Sequence, residues 1–268
     1  MSTPSITTLA ARARSFKGLH VPGTPLRLAN VYDATSARIV GSLPGCRALA
    51  SASHAVAEAS GTTDEQLTLE QNLTHLAPVA AVAHELGLPL TIDLQDGYGE
   101  RLEEAVRLAI TELGAVGINL EDSRHEDGSM MDEDEAVERI RRTLRVAAEL
   151  GVPDFVVNAR SDTFLMKAGS LDESVRRGRK YLEAGATTVY VIWPFDQEML
   201  EEDVKRAIGG LDGKVNILPR KASTGQRRDL TPADVARLGA ARISVGPHLY
   251  RVMREALTEA ANEVFKGE

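Results

Sequence analysis

A chain of 268 residues with 43% hydrophobic and 26% charged side chains can bury a sizeable core, which sets aside disordered and fibrous classes, and its length suits one α/β barrel of about 250 residues. The formal net charge of -8 with dispersed Lys and Arg excludes the basic footprint of a nucleic-acid binder, and a single cysteine, Cys46, excludes an internal disulfide and any multi-cysteine zinc or iron-sulfur site. No apolar run approaches the roughly 20 residues of a membrane-spanning helix, so one domain over residues 1–268 of a soluble, cytoplasmic protein is expected, with no membrane partner.

At the start, Arg12, Arg14 and Lys17 precede the first acidic residue, Asp33. A mitochondrial transit peptide shows the same bias, which makes the matrix the lesser alternative for location. Leu9, Ala13 and Phe16 have helical spacing with Gly18 as a stop, so residues 1–25 are read as a helix closing a barrel floor. Runs rich in β-branched residues then recur at 26–32, 47–51, 88–94, 116–121, 155–160, 188–193, 215–219 and 242–246. Between them lie stripes of helical period, such as Leu102, Ala105, Ala109 and Leu113, or Val137, Ile140, Leu144 and Ala147. Asp132 with Glu135 predicts a capping box, Thr231-Pro232 a capped first turn, and Gly185 and Gly239 helix ends. Eight alternating units imply parallel strands closed into a (β/α)8 barrel, a TIM barrel, with an open doubly wound sheet as the fallback. The last helix, within 247–268, carries a broad apolar face from Leu249 to Val264, which suits either its own barrel or a second contact surface.

Active sites of such barrels lie at the C-terminal ends of the strands. Asp93, followed by Gln95, Asp96 and the turn Gly97-Tyr98-Gly99, ends the third strand; Glu121 and Asp122 end the fourth; Arg160 and Asp162 end the fifth. Oxygen ligands without His or Cys suit a hard cation, Mg2+ or Mn2+, and disfavour zinc. The plainer alternative is that these acids cap helices and pair with Arg160.

Asn30-Val31-Tyr32-Asp33-Ala34 with Ser36-Ala37-Arg38, the stretch 93–99, Gly117-Ile118-Asn119-Leu120-Glu121-Asp122 and Asn158-Ala159-Arg160-Ser161-Asp162 occur in unbroken order. In this the chain resembles the isocitrate lyase and phosphoenolpyruvate mutase superfamily, and most nearly its short, phosphonomutase-like enzymes. The resemblance implies Asp93 as the direct metal ligand, Glu121 holding metal-bound water, and Asp64, after Gly61-Thr62-Thr63, with Gln95 completing the cation site. It also implies Tyr32 and the backbone amides of Ser53, His54 and Ala55 around a substrate carboxylate, Arg160 beside an enolate oxygen, and Asn216 at the far end of the substrate.

Three departures narrow the chemistry that the resemblance implies. The gate loop, residues 123–131, lacks the cysteine motif of lyases that release succinate, and it lacks the lysine and asparagine of phosphonate-forming mutases and phosphonopyruvate hydrolases. Cys46, at the opposite end of the barrel, cannot substitute. Gln95 stands where a second acid is general, and His54 where Gly or Ala is usual. The loop with Arg220, Lys221, Ser223, Thr224, Gly225, Arg227 and Arg228 is unusually basic, either as a distal-carboxylate site or as a solvated loop. His125 is either the acid that protonates an enolate or a solvated loop histidine.

The expected function is a Mg2+- or Mn2+-dependent lyase of a small 2-oxo or 2-hydroxy dicarboxylic acid, cleaving a carbon-carbon bond through a metal-stabilised enolate as in oxaloacetate decarboxylation. The alternatives are carbon-phosphorus chemistry of the mutase or phosphonopyruvate hydrolase type, and a non-catalytic ligand-binding or structural barrel. By the same resemblance, the expected assembly is a homotetramer of paired dimers that exchange their last helices.

Overall fold

The computed structural model describes residues 3–219 and 230–266; the basic loop at 220–228 lies outside them. The β-branched runs form β1 (Leu26–Leu28), β2 (Leu49–Ala50), β3 (Leu90–Asp93), β4 (Gly117–Glu121), β5 (Val156–Ser161), β6 (Thr188–Val191), β7 (Val215–Ile217) and β8 (Arg242–Ser244). The helices are α1 (Ile6–Gly18), α2 (Ala34–Gly41), α3 (Ser53–Ala59), α4 (Leu69–Glu85), α5 (Leu102–Thr111), α6 (Glu133–Glu149), α7 (Leu171–Glu183), α8 (Glu201–Gly210), α9 (Pro232–Leu238) and α10 (His248–Phe265). All seven pairings are parallel, in the order β1-β8-β7-β6-β5-β4-β3-β2, and a parallel bridge between Val31 and Ser51 joins the two end strands. The barrel is thereby closed, as strict alternation of strand and helix requires, and the open-sheet alternative falls away.

Asn30 secures this seam. Its Nδ2 donates to Ser51 O at 2.7 Å, while its Oδ1 accepts from Val245 N at 3.0 Å and Gly246 N at 3.1 Å. The neighbouring Asp33 and Ser36 form a reciprocal capping box on α2, so part of that motif builds the fold rather than the chemistry.

On α1, Leu9, Ala13 and Phe16 are fully buried. Any Cβ at Gly117 would lie 3.0 Å from Phe16 Cε1 and 2.9 Å from Val156 O, so α1 presses on the first residues of β4 and closes the floor. Gly18 is the last residue of this helix, one position earlier than a stop beyond it. Thr231 caps α9 with Asp234 and Pro232 at the first turn, and Gly239 ends it at φ 105°. The box expected at Asp132 does not form: Asp132 makes no side-chain cap, and the Glu135 side chain, which would supply the reciprocal half, pairs with Arg124 instead.

Only Tyr250 of α10 is buried, with Leu249 and Met253 partly so; Leu257 and Val264 are 63% and 79% exposed. In the single chain, much of this face therefore does not pack on the barrel. Among the described residues no helix is long and apolar enough to cross a membrane.

Candidate active site

Asp93 ends β3 with only 7% of its surface exposed. Ser51 Oγ accepts from its backbone N–H at 2.9 Å, and its carboxylate accepts from Ser53 N–H at 3.1 Å and Gln95 N–H at 3.3 Å. Burial pushes this carboxyl above the ordinary range and Asp64 adds to the rise, while the amides and Arg160 oppose it.

Glu121, at the end of β4, lies between two cations. Arg160 Nη1 donates to Oε1, and His125 Nε2 stands 2.9 Å from Oε2. Burial drives Glu121 up to about 7 against the pull of both partners. Burial opposes the charge on His125, but Glu121, Asp96 and Asp64 outweigh it and raise the imidazole to about 9. His125 is thus partly buried and tied to Glu121 rather than free in the loop.

Arg160 is held from a second side, by Asp162 Oδ1 at 2.6 Å from Nε. The other oxygen of Asp162 accepts from Ser123 Oγ at 2.7 Å, at the root of the gate loop. Burial disfavours the guanidinium, but Asp162, Glu121 and Asp93 keep its pKa above the ordinary value. Its Nη2 makes no hydrogen bond among the described residues. Asp122 faces elsewhere, accepting from Asp162 N–H, Arg177 Nε and Tyr181 OH. That network braces β4, β5 and α7 behind the site.

Residues 95–99 make an unusual turn, with φ of 54° at Gln95, 79° at Gly97, 59° at Tyr98 and 60° at Gly99. Two non-glycine residues in the left-handed region store strain of the kind found at functional sites. Arg139 of α6 holds the turn through Asp96 O and Gly99 O. Asp96 Oδ2 in turn accepts from His125 N–H at 3.3 Å, so Asp96 orients the gate loop. Gln95 Nε2 donates to Asp64 O at 2.6 Å and Asp64 Oδ1 at 3.0 Å. The amide that stands where an acid is general therefore pins Asp64.

The expected carboxylate loop opens α3, where Ser53 N–H is engaged by Asp93 and the amides of His54 and Ala55 have no backbone acceptor among the described residues. The His54 ring lies 3.5 Å from Glu58 and 4.0 Å from Asp64. Tyr32 packs edge-on against Tyr250, with centroids 5.0 Å apart. Asn216 is fully enclosed, donating to Ser244 Oγ at 3.1 Å, with Oδ1 unpartnered among the described residues.

Among the described residues, no three His, Cys, Asp or Glu side chains form a ready-made cation cage. The donor chemistry nevertheless fits a hard cation that keeps several waters. Asp93 and Glu121 are buried carboxylates raised by burial, with Asp64 adding to the rise at Asp93, and Asp162 and Asp93 to that at Glu121. A divalent ion relieves that repulsion directly. Ser123, Arg139, Asn119 and Arg242 are given no individual role by the sequence, because each acts through a contact with a residue distant in the chain.

The sequence profile of phosphoenolpyruvate phosphomutase matches residues 16–265. An uncharacterized protein of Mycobacterium tuberculosis is 31% identical over 256 residues, covering 95% of this chain and 90% of its own length. Phosphonopyruvate hydrolase of a Variovorax species is 28% identical over 202 residues, or 72% of this chain and 65% of that protein. The crystal structure of a candidate phosphonomutase from Burkholderia cenocepacia superposes with a TM-score of 0.82 at 34% identity, over 95% of this chain and 99% of the other. At the level of fold alone, the chain is also like oxaloacetate acetylhydrolase with bound oxalate (TM-score 0.76, 22% identity) and phosphonopyruvate hydrolase with oxalate and Mg2+ (TM-score 0.77, 21% identity).

Proposed function

The chain belongs to the phosphoenolpyruvate phosphomutase family, and from that membership we propose a divalent-cation-dependent lyase that cleaves a carbon-carbon bond of a small 2-oxo or 2-hydroxy dicarboxylic acid. Decarboxylation of an oxaloacetate-type 2-oxo diacid is the reaction best supported. The observation that carries it is the convergence of Arg160 and His125 on one buried carboxylate, Glu121, beside Asp93.

Asp93 would hold Mg2+ or Mn2+ directly, with Glu121, Asp64 and Gln95 contacting it through water. When bound, the cation supplies Lewis-acid polarisation of the ligand's carboxylate and 2-oxo oxygens. The free amides of His54 and Ala55 would receive the ligand carboxylate. Loss of CO2 leaves the electron pair of the broken bond on the carbon that bore it, giving an enolate. Arg160 Nη2 then faces the negative charge that develops on the enolate oxygen. His125 would deliver its proton to carbon and return to neutral imidazole.

Carbon-phosphorus chemistry has less support in the loop itself. Apart from His125, its cation is Arg124, which is engaged by Glu135, Ser129 and Met130 O. A panel of 2-oxo and 2-hydroxy diacids, with phosphonopyruvate included, is the test. Pyruvate and CO2 from oxaloacetate above the rate with Mn2+ alone support the proposal. Phosphate release from phosphonopyruvate without diacid turnover, or no product from any compound, would overturn it.

A further inference from the structure

Arg242 opens β8 and its side chain is fully enclosed within the barrel. Its hydrogen-bond partners are neutral: Nε donates to Ser244 Oγ at 3.2 Å and Nη2 to Asn119 Oδ1 at 3.3 Å, while Nη1 has no partner among the described residues. The acceptors are shared, since Asn158 Nδ2 also donates to Asn119 Oδ1 and Asn216 Nδ2 to Ser244 Oγ. A buried charge without a counter-ion opposes folding, and an apolar side chain of similar volume commonly serves stability better. Burial draws this guanidinium down to about 9, so it remains cationic at neutral pH, and Asp93 is the charge that most favours it.

Strand register explains the link with the site. Asn119, which Arg242 holds, pairs with Asp93 across β3 and β4, and Arg242 itself pairs with Asn216 across β7 and β8. The mouth above carries Asp93, Glu121, Asp64 and Asp162 against Arg160 and His125. With a divalent cation bound these charges balance, so a dicarboxylate brings two further negative charges that positive charge from another direction would offset.

We propose that Arg242 is the fixed positive charge beneath the floor of the site that admits a doubly negative ligand among these carboxylates, at a cost to the stability of the fold. It acts as a positioning residue, through Asn119 and through its field, without touching the ligand. The inference rests on the dicarboxylate reading of the site.

The probes are Mn2+ and oxalate, measured by calorimetry at pH 7.5 in the full chain, together with thermal melting. Arg242→Met is expected to melt no lower than the parent, to bind Mn2+ at least as tightly, and to lose tenfold or more in oxalate affinity at saturating Mn2+. Arg242→Lys, which keeps the charge, restores most of that loss. Should Arg242→Met not fold, Arg242→Gln carries the same comparison. Unchanged oxalate affinity, or equal losses for Mn2+ and oxalate, overturns the proposal by leaving Arg242 no role or only a structural one. A parent protein that binds oxalate under no condition with Mn2+ overturns the dicarboxylate reading and this inference together.

Discussion

Replacing His125 with asparagine removes the imidazole 2.9 Å from Glu121 while leaving the gate-loop backbone bond to Asp96 in place. The ring's pKa stands at about 9 against an ordinary 6.5. A raised pKa means that the folded chain binds this proton more tightly, so its contribution to stability is complete below pH 6.5 and disappears as pH rises through 9. At roughly 1.4 kcal/mol per pH unit the ceiling is ~3 kcal/mol. Sharing of the proton with Glu121 and the 21% exposure of the side chain reduce the expected value to on the order of 1–2 kcal/mol. Glu121, raised from 4.5 to about 7, has the same sign in a lower window: its contribution falls as pH rises through 7. Urea denaturation in excess chelator separates the two. The parent should lose stability between pH 6.5 and 9.5, and His125→Asn should lose less there, its remaining decline being that of Glu121, which His125 no longer lowers. An identical slope above pH 6.5 in both proteins would refute the His125–Glu121 coupling.

Arg160→Lys should fold normally and lose about 100-fold or more in kcat, ~3 kcal/mol of transition-state stabilisation, because an ammonium cannot hold Glu121 and Asp162 and still face the enolate oxygen; near-normal turnover would mean that Arg160 only braces β5. Gly97→Ala combines a φ of 79° with a Cβ 2.5 Å from Leu102 Cδ1 and 3.1 Å from Arg139 Nη2, so denaturation should show a loss of about 2–4 kcal/mol, and an unchanged midpoint would contradict the strained-turn account. The exposed face of α10 is proposed to lie at a subunit interface of a homotetramer built from paired dimers; sedimentation at micromolar concentration should show that species, whereas a clean monomer, with truncation after Pro247 leaving a soluble active chain, would remove the interface.

The barrel was legible because its signals are local: eight β-branched runs, helical stripes between them, and Thr231-Pro232 at one helix start. Strand ends were overestimated. Residues 192–193, for example, fall within the sixth β-branched run, but β6 stops at Val191, and Trp193 packs edge-on against Phe164 instead. Asp93, Glu121 and Arg160 were readable from their strand-end positions, which the topology brings together. The contacts that tune them were not. Glu135 is an apt capping residue by spacing, and only the tertiary position of Arg124 diverts it. Arg242 in a β-rich run carries no local sign that its side chain lies inside the barrel, because no periodicity in three residues distinguishes a buried arginine from an exposed one. Gln95 likewise looked like a lost ligand, and its bonds to Asp64 are visible only once the turn at 95–99 and the 3-10 turn Asp64–Gln66 are placed together.

Cation-assisted chemistry at Asp93 is tested most directly by oxaloacetate turnover in protein stripped with chelator, in the same protein after Mn2+ is restored, and in Asp93→Ala with Mn2+, each corrected for decarboxylation by free Mn2+. The expected result is no turnover in the stripped protein, recovery with Mn2+, and none in Asp93→Ala although its melting curve remains cooperative. Full activity in excess chelator, or an active Asp93→Ala protein, would contradict the account.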